Sequence, residues 1–241
     1  MRISICIPTY NRAEHLNNCL HSIILNQARS KIDFEVCVSD NCSTDETEEV
    51  VRRAQASIDI KYQKNPENIG MSGNFLKVVE MADGEFVWLL GDDDLLMPYA
   101  LERLDGLIGE HPDVDFFYVN SYLLAAEFVL SFPQPFDTAN LPKKMKPFSS
   151  WPYSGEMEFM DLVDPKISFD FLGGMFLSVF RRENWRKNVD ALVELAIKDP
   201  RPFSYFDNTF PHVKIFSQAF ASSKAFFYEN PLSICLSGVR E

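Results

Sequence analysis

The chain has 241 residues, 46% hydrophobic, 13% aromatic and 24% charged, which fits one large α/β domain or two small ones with ample length for a core. Its net charge of −12 argues against nucleic acid as a main partner and against broad adhesion to an anionic membrane, since both rely on Lys and Arg. Cys6, Cys19, Cys37, Cys42 and Cys235 are odd in number and lack the paired spacing of a zinc site, so reduced thiols in a cytosolic protein are expected.

The first element is a strand-like Ile3–Ile7, with no apolar run of signal-peptide type before it. No stretch approaches the roughly 20 apolar residues of a membrane-spanning helix. Asn11 offers an N-cap with Glu14 three residues on, and Leu16, Leu20 and Ile23 follow at helical spacing. Phe34–Val38 is the second strand. Ser43-Thr44-Asp45-Glu46 forms another capping box, opening a helix through Val50, Val51 and Ala54. Ile58–Tyr62 alternates as a third, more exposed strand. Ser72 caps a helix carrying Phe75, Val78, Val79 and Ala82. Phe86–Leu90 reads as a buried strand, Pro98 begins a helix with Leu101, Leu104 and Ile108, and Phe116–Val119 is another strand. This alternation predicts an α/β fold with a mostly parallel central sheet and helices on both faces.

The second half is less regular. Residues 131–153 hold Pro133, Pro135, Pro142, Pro147 and Pro152 with Lys143, Lys144 and Lys146, the composition of a long surface loop. Gly173–Phe180 reads as a strand, Glu183–Ala196 as a helix with a basic start (Arg181, Arg182, Arg186, Lys187), and Ala225–Tyr228 as a short strand. The chain divides near residue 120 into halves 1–120 and 121–241 of a single domain.

The chemistry concentrates at Gly91-Asp92-Asp93-Asp94, directly after the buried strand. Three adjacent carboxylates oppose each other's ionisation, and a hard divalent cation such as Mg²⁺ or Mn²⁺ relieves that cost. An acidic turn capping the next helix needs only one of them. Ligands of parallel sheets bind at the carboxyl ends of strands, and four polar clusters fall there. They are Pro8-Thr9-Tyr10-Asn11-Arg12, Ser39-Asp40-Asn41, Asn65–Gly70 and the triplet. Asp40 can accept hydrogen bonds from a base or ribose, Arg12 can counter a phosphate, and Gly70 permits close backbone approach. Taken singly, each has a structural reading too: a strand-to-helix turn, a helix cap, a tight turn.

Together, Ile5–Arg12 (ICIPTYNR), Val38–Thr47 (VSDNCSTDET), Asn65–Gly70 (NPENIG) and Gly84–Pro98 (GEFVWLLGDDDLLMP) resemble the family 2 glycosyltransferases of the GT-A fold. The likeness continues more weakly through Phe171–Arg182 and Phe206–His212. It looks most like bacterial enzymes that build O-antigen and other surface glycans. The resemblance implies a Rossmann-like GT-A domain and a nucleotide site at Pro8, Thr9, Tyr10, Arg12, Asp40, Asn68, Gly70 and Asp92. It also implies Mn²⁺ or Mg²⁺ on Asp92, Asp93 and Asp94. Many members read Asp-x-Asp-Asp; here Gly91 takes the first Asp position, which leaves open which two aspartates work as a pair. The catalytic base of the family follows a Gly-Gly segment. Gly173 and Gly174 fit that segment and the acceptor site, Asp207 fits the base, and Asp199 is the runner-up. Asp207 also fits an ordinary helix N-cap, and His212 a core residue.

The implied function is metal-dependent, inverting transfer of a sugar from a nucleotide-diphosphate sugar to a glycan or lipid-linked glycan. It would take place in the cytoplasm, with peripheral contact to the inner membrane face as an option and no nucleic acid partner. The basic sets at 143–146 and 181–187 are either solvated faces or contacts to the pyrophosphate of a lipid-linked acceptor. The alternatives are a nucleotidyltransferase, for which Pro8–Arg12 is neither Gly-rich nor strongly basic, and a non-catalytic carbohydrate-binding protein of the same fold.

Overall fold

The computed structural model describes residues 2–29, 32–163, 174–197, 199, 201 and 204–239. They form one α/β domain around a central, mostly parallel sheet. The first half runs β1 (Ile3–Thr9), α1 (Ala13–Gln27), β2 (Phe34–Asp40), α2 (Thr47–Ala54), β3 (Ile60–Lys64), α3 (Gly70–Glu80), β4 (Phe86–Leu89), β5 (Leu95–Leu96) and α4 (Ala100–Glu110). Then follow β6 (Phe116–Ala125), α5 (Ala126–Leu130), β7 (Lys146–Pro147), β8 (Gly155–Glu158), α6 (Phe159–Leu162), β9 (Ser178–Arg181), α7 (Arg182–Arg186), α8 (Glu194–Ile197), α9 (Phe206–Thr209), α10 (Pro211–Ala219) and β10 (Lys224–Ser237).

The strand order is β3-β2-β1-β4-β9-β6-β10-β5, with β7 on β6 and β8 on β10. The first four strands are parallel, as are β6 and β10; the antiparallel pairs all involve β9 or the short strands β5, β7 and β8. Because β1 and β4 are covered on both faces, their sequences read as nearly continuous apolar runs. On one face, Ile5, Trp88 and Phe117 pack with Leu16, Leu20 and Ile23 of α1, Val50 and Val51 of α2, and Leu101, Leu104 and Leu107 of α4. On the other, Cys6, Val87 and Phe116 pack with Val78 and Val79 of α3, Trp185 of α7, and Ile215 and Phe216 of α10. The abundant Phe residues account for this second core. The Phe116 ring lies 5.0 Å from both Phe159 and Phe216, edge to face, and Trp185 stacks on Phe180 at 5.0 Å.

Several local expectations shift. The α1 N-cap is Arg12, not Asn11, and the first amide of the helix, Ala13, donates instead to Asp45 at 2.9 Å; Asn11 takes positive φ (52°) and accepts from the Thr44 amide at 2.8 Å. Asp45 replaces the expected capping box by accepting from the amide and hydroxyl of Thr47. The helix expected after Pro98 starts at Ala100, because Tyr99 is left-handed (φ 66°). Glu183–Ala196 is broken into α7, a 3₁₀ turn at Val189–Ala191, and α8. The short strand expected at Ala225–Tyr228 extends to Ser237. Pro231 lacks an amide hydrogen, and β10 passes it by a register shift between Tyr228 and Ser233. The 131–153 segment is the expected surface connection, carrying only a 3₁₀ turn and β7. Residue 120 falls inside β6. The described cysteines are all free thiols. Among the described residues, no helix is long and apolar enough to cross a membrane.

Candidate active site

The register fixes which loops meet. Thr9 lies beside Asp40 and Asp40 beside Lys64, so β1, β2 and β3 end at one edge; β4 ends there too, with Leu90 donating its amide to Cys6. Order reverses at β1, the position where parallel α/β sheets open a crevice. Asn74, buried on α3, ties these ends together. Its amide group donates to the carbonyls of Ser39 (3.0 Å) and Thr9 (3.4 Å), and its Oδ1 accepts from Ser39 Oγ (2.7 Å) and Asn65 Nδ2 (3.1 Å). Asn41 does the same for the next loop: it donates to Asn68 Oδ1 (2.8 Å) and the Gly70 carbonyl (3.3 Å) and accepts from the Ile69 amide. Gly70 has φ 79°, a conformation that penalises any side chain, and its amide donates to Asn68.

The resulting cleft encloses about 740 Å³. Pro8, Thr9, Tyr10, Arg12, Asn68, Gly70 and all three aspartates line it. Asp40 does not. It is fully buried behind the wall, its Oδ1 accepting from the Ser43 amide and its Oδ2 from the Tyr62 hydroxyl, both at 2.7 Å. Burial and the Asp40 carboxylate push the Tyr62 phenol up, which keeps it a donor. Gly173 lies outside the described residues, and Gly174 stands just before the 3₁₀ turn Met175–Leu177. From that turn Met175 and Phe176 reach the cleft. The Phe176 carbonyl accepts from the Trp88 indole at 2.7 Å.

The triplet side chains diverge. Asp92 is buried, accepting from Thr9 Oγ1 at 2.7 Å and from Arg12 Nη1 at 3.4 Å. Asp93 pairs with Arg12 at 3.2 Å. Asp94 is buried and folds back to accept from the Gly91 amide at 3.1 Å, with the Cys235 thiol also donating to it. Burial, then the charge of Asp93, pushes the Asp92 carboxyl up to about 7, against the pull of Arg12 and Thr9. Burial and the same neighbour push Asp94 well up. Burial, followed by Asp94 and Asp93, raises the Cys235 thiol. Gly91 leaves the space that the triplet fills. A Cβ there would lie 2.7 Å from Asp94 Oδ2 and 2.9 Å from Asp93 Oδ1.

Among the described residues, no three carboxylate, His or Cys side chains are arranged to enclose a metal by themselves. The donor set is nonetheless of the hard-oxygen kind, crowded and short of positive charge. It fits a cation held by one or two carboxylates with phosphate oxygens completing the shell, the usual arrangement for Mg²⁺.

The two carboxylates weighed as base sit differently. Asp207 is buried behind the cleft. Its Oδ2 accepts from the Val193 amide (2.8 Å) and pairs with Lys214 (2.9 Å). Its neighbour Asn208 lines the cleft. Asp199 lines the cleft as well, held by Arg201 at 2.6 and 2.9 Å, and those hydrogen bonds keep its carboxyl well below the usual range. Asn41, from the expected Ser39-Asp40-Asn41 cluster, lines the cleft, whereas sequence reasoning missed Asn74, Phe176, Arg201, Asn208 and Cys235. His212 is buried on α10 against Phe210 and Phe216.

The chain has clear relatives. It is 42% identical over 116 residues to the abequosyltransferase RfbV of Salmonella typhimurium, 47% of this chain and 34% of that protein. It is 33% identical over 112 residues to the poly(ribitol-phosphate) beta-N-acetylglucosaminyltransferase TarS of Staphylococcus aureus, 46% of this chain and 19% of that one. It is 39% identical over 105 residues to the GalNAc(5)-diNAcBac-PP-undecaprenol beta-1,3-glucosyltransferase of Campylobacter jejuni, 43% of this chain and 33% of that one. These alignments span about a third or less of each relative. The crystal structure of S. aureus TarS 1-349 in complex with UDP superimposes with a TM-score of 0.71 at 19% identity, over 98% of this chain and 60% of that one, which establishes a shared GT-A fold. The model of the glycosyl transferase family 2 domain matches residues 4–162, more than half of the sequence, and the chain belongs to that family.

Proposed function

We propose that this chain moves a sugar from a nucleotide-diphosphate sugar to a hydroxyl of a glycan or lipid-linked glycan, with inversion and with help from Mn²⁺ or Mg²⁺. The observation that carries the reading is the gathering of Thr9, Tyr10, Arg12, Asn68, Gly70 and Asp92–Asp94 around one cleft at the carboxyl ends of parallel strands. Relatives named for abequosyl, N-acetylglucosaminyl and glucosyl transfer support it, as do the TarS structures with UDP and UDP-GlcNAc. In this reading residues 1–120 bind the donor and 121–241 the acceptor. The product is a bacterial surface glycan of the O-antigen kind, made in the cytoplasm at the inner membrane face.

The residues divide the work. Tyr10 and the loop braced by Asp40 face the base and ribose. Arg12 counters the diphosphate. A divalent cation on the triplet supplies positive charge where the leaving group develops its negative charge. A carboxylate takes the acceptor proton as that hydroxyl attacks the anomeric carbon. Asp207 follows the Gly-Gly segment, as the resemblance implies for this role, and Asp199 lines the cleft. Asp199 gains basicity only when Arg201 turns from it toward an anion.

Thermal shift with UDP and UDP-GlcNAc, with and without Mn²⁺, tests the donor site; a ligand at 100 times its Kd adds about 2.7 kcal/mol of stability. Product analysis tests the chemistry. Release of a nucleoside diphosphate supports the reading, whereas release of pyrophosphate makes the protein a nucleotidyltransferase. For the base, Asp207→Asn and Asp199→Asn are compared. Loss of the base costs on the order of 10²–10⁴-fold in turnover with UDP affinity retained. A variant that loses UDP binding together with turnover marks a structural carboxylate instead.

A further inference from the structure

Among the described residues, Arg12 is the cation paired with the triplet. From the start of α1 its guanidinium reaches Asp92 Oδ1 at 3.4 Å and Asp93 Oδ2 at 3.2 Å. Its side chain is 26% exposed and faces the cleft, so the charged end has room to move. The other oxygen of Asp92 is taken by Thr9, and Asp94 is folded onto the Gly91 amide. All three carboxylates are thus committed to protein donors in different directions. Two of them, Asp92 and Asp93, are bridged by the one guanidinium.

We infer that Arg12 is an internal counter-cation: it holds Asp92 and Asp93 while the cleft lacks nucleotide, then swings to the diphosphate and releases both carboxylates to the divalent ion. The inference rests on the donor-site reading above. The chemistry of the exchange is favourable, since a guanidinium presents a planar fork that matches phosphate oxygens as well as carboxylates. Metal and nucleotide then bind cooperatively, and Arg12 supplies the coupling, because each ligand removes what opposes the other. The apparent metal affinity falls by the fraction of molecules with free carboxylates. If Arg12 is engaged nine-tenths of the time, Mn²⁺ binding is weakened about tenfold.

The test is Mn²⁺ binding, followed by the electron paramagnetic resonance of the free ion, with and without UDP. The proteins are wild type, Arg12→Met and Arg12→Lys. Wild type is expected to bind Mn²⁺ weakly alone and more tightly with UDP. Arg12→Met is expected to bind Mn²⁺ alone about tenfold more tightly and to gain less from UDP. A loosened site loses affinity, so this gain separates the role from structural damage. Arg12→Lys, which keeps the charge, should stay near wild type without UDP; a gain equal to that of the Met variant overturns the inference. So does an Arg12→Met protein that binds Mn²⁺ alone no better than wild type, provided wild type binds it with UDP, in which case the donor-site reading stands. If wild type fails to bind Mn²⁺ even with UDP, the metal reading falls and takes this inference with it.

Discussion

Among single residues, Gly91 decides the geometry of the triplet although it has no side chain. Its amide holds the Asp94 carboxylate at 3.1 Å, and the space a Cβ would occupy is already filled by carboxylate oxygens. Gly91→Ala therefore pushes Asp93 and Asp94 aside without opening the core. The expected outcome is a loss of about tenfold, roughly 1.4 kcal/mol, in Mn²⁺-dependent UDP affinity by calorimetry. Unchanged affinity would show that those carboxylates can shift without consequence. Thr9 is a second such residue. Thr9→Val keeps the shape and removes the 2.7 Å bond to Asp92, a hydrogen bond to a charged group worth about 1.5–3 kcal/mol. Part of that loss should appear in the denaturant midpoint and part in UDP affinity. A protein unchanged in both would make the contact incidental.

At the scale of elements, α3 acts as a brace. Its Asn74 bonds the ends of β1 and β2 and the loop after β3. Asn74→Ala leaves buried carbonyls and a hydroxyl without partners. It should destabilise by about 2–3 kcal/mol, seen as a lower urea midpoint at unchanged slope. A change under about 0.5 kcal/mol, the range of ordinary surface substitutions, would mean the loops hold without it. This brace was legible in principle: Asn74 sits one turn before Val78, a polar residue on the apolar face of its helix. The first half of the fold was legible because each parallel strand is a short apolar run bounded by polar turn residues, and such strands present those turns together. The rest of the cleft was not. Phe176 and Cys235 reach it because β9 inserts antiparallel between β4 and β6 and because β10 continues past Pro231, and Asn208 because α9 docks on α3, where Ser72 donates to the Asp207 carbonyl. Those are long-range pairings with no local periodicity. Asp40 shows the converse. Its place at the end of a strand was read correctly, but sequence could not reveal that Tyr62 and the Ser43 amide already occupy its carboxylate.

For the molecule as a whole, acid stability has an identifiable clasp. Glu35 on β2 is buried, with Lys61 Nζ at 2.5 Å, Ser4 Oγ at 2.6 Å, and the Asp83 and Gly84 amides at 2.6 and 3.2 Å. Burial raises its carboxyl, but the hydrogen bonds from Lys61, Ser4 and the Asp83 amide outweigh that and leave it below its ordinary 4.5. A lowered folded value gives a definite sign. The stabilisation is fully present above pH 4.5 and is lost as pH falls through the folded-state value. Glu35→Gln should therefore cost about 1–3 kcal/mol at pH 7, the scale of a broken charge-assisted hydrogen bond beside a half-exposed lysine, and progressively less in acid. Urea titrations of both proteins from pH 7 to pH 3 check this. A pH-independent difference between them would rule out the linkage.

Trp88 gives the same molecule a built-in optical probe. Its indole is buried beneath the sheet face, and its N–H bonds to the carbonyl of Phe176, whose side chain forms part of the cleft wall. Any occupant that presses on that wall changes the length of this bond and the polarity around the ring. Donor or acceptor binding should thus be visible as a change in tryptophan emission without any attached label. A Trp88→Phe protein should lose that signal while still binding UDP by calorimetry. A signal that survives the substitution would have to come from Trp151 or Trp185.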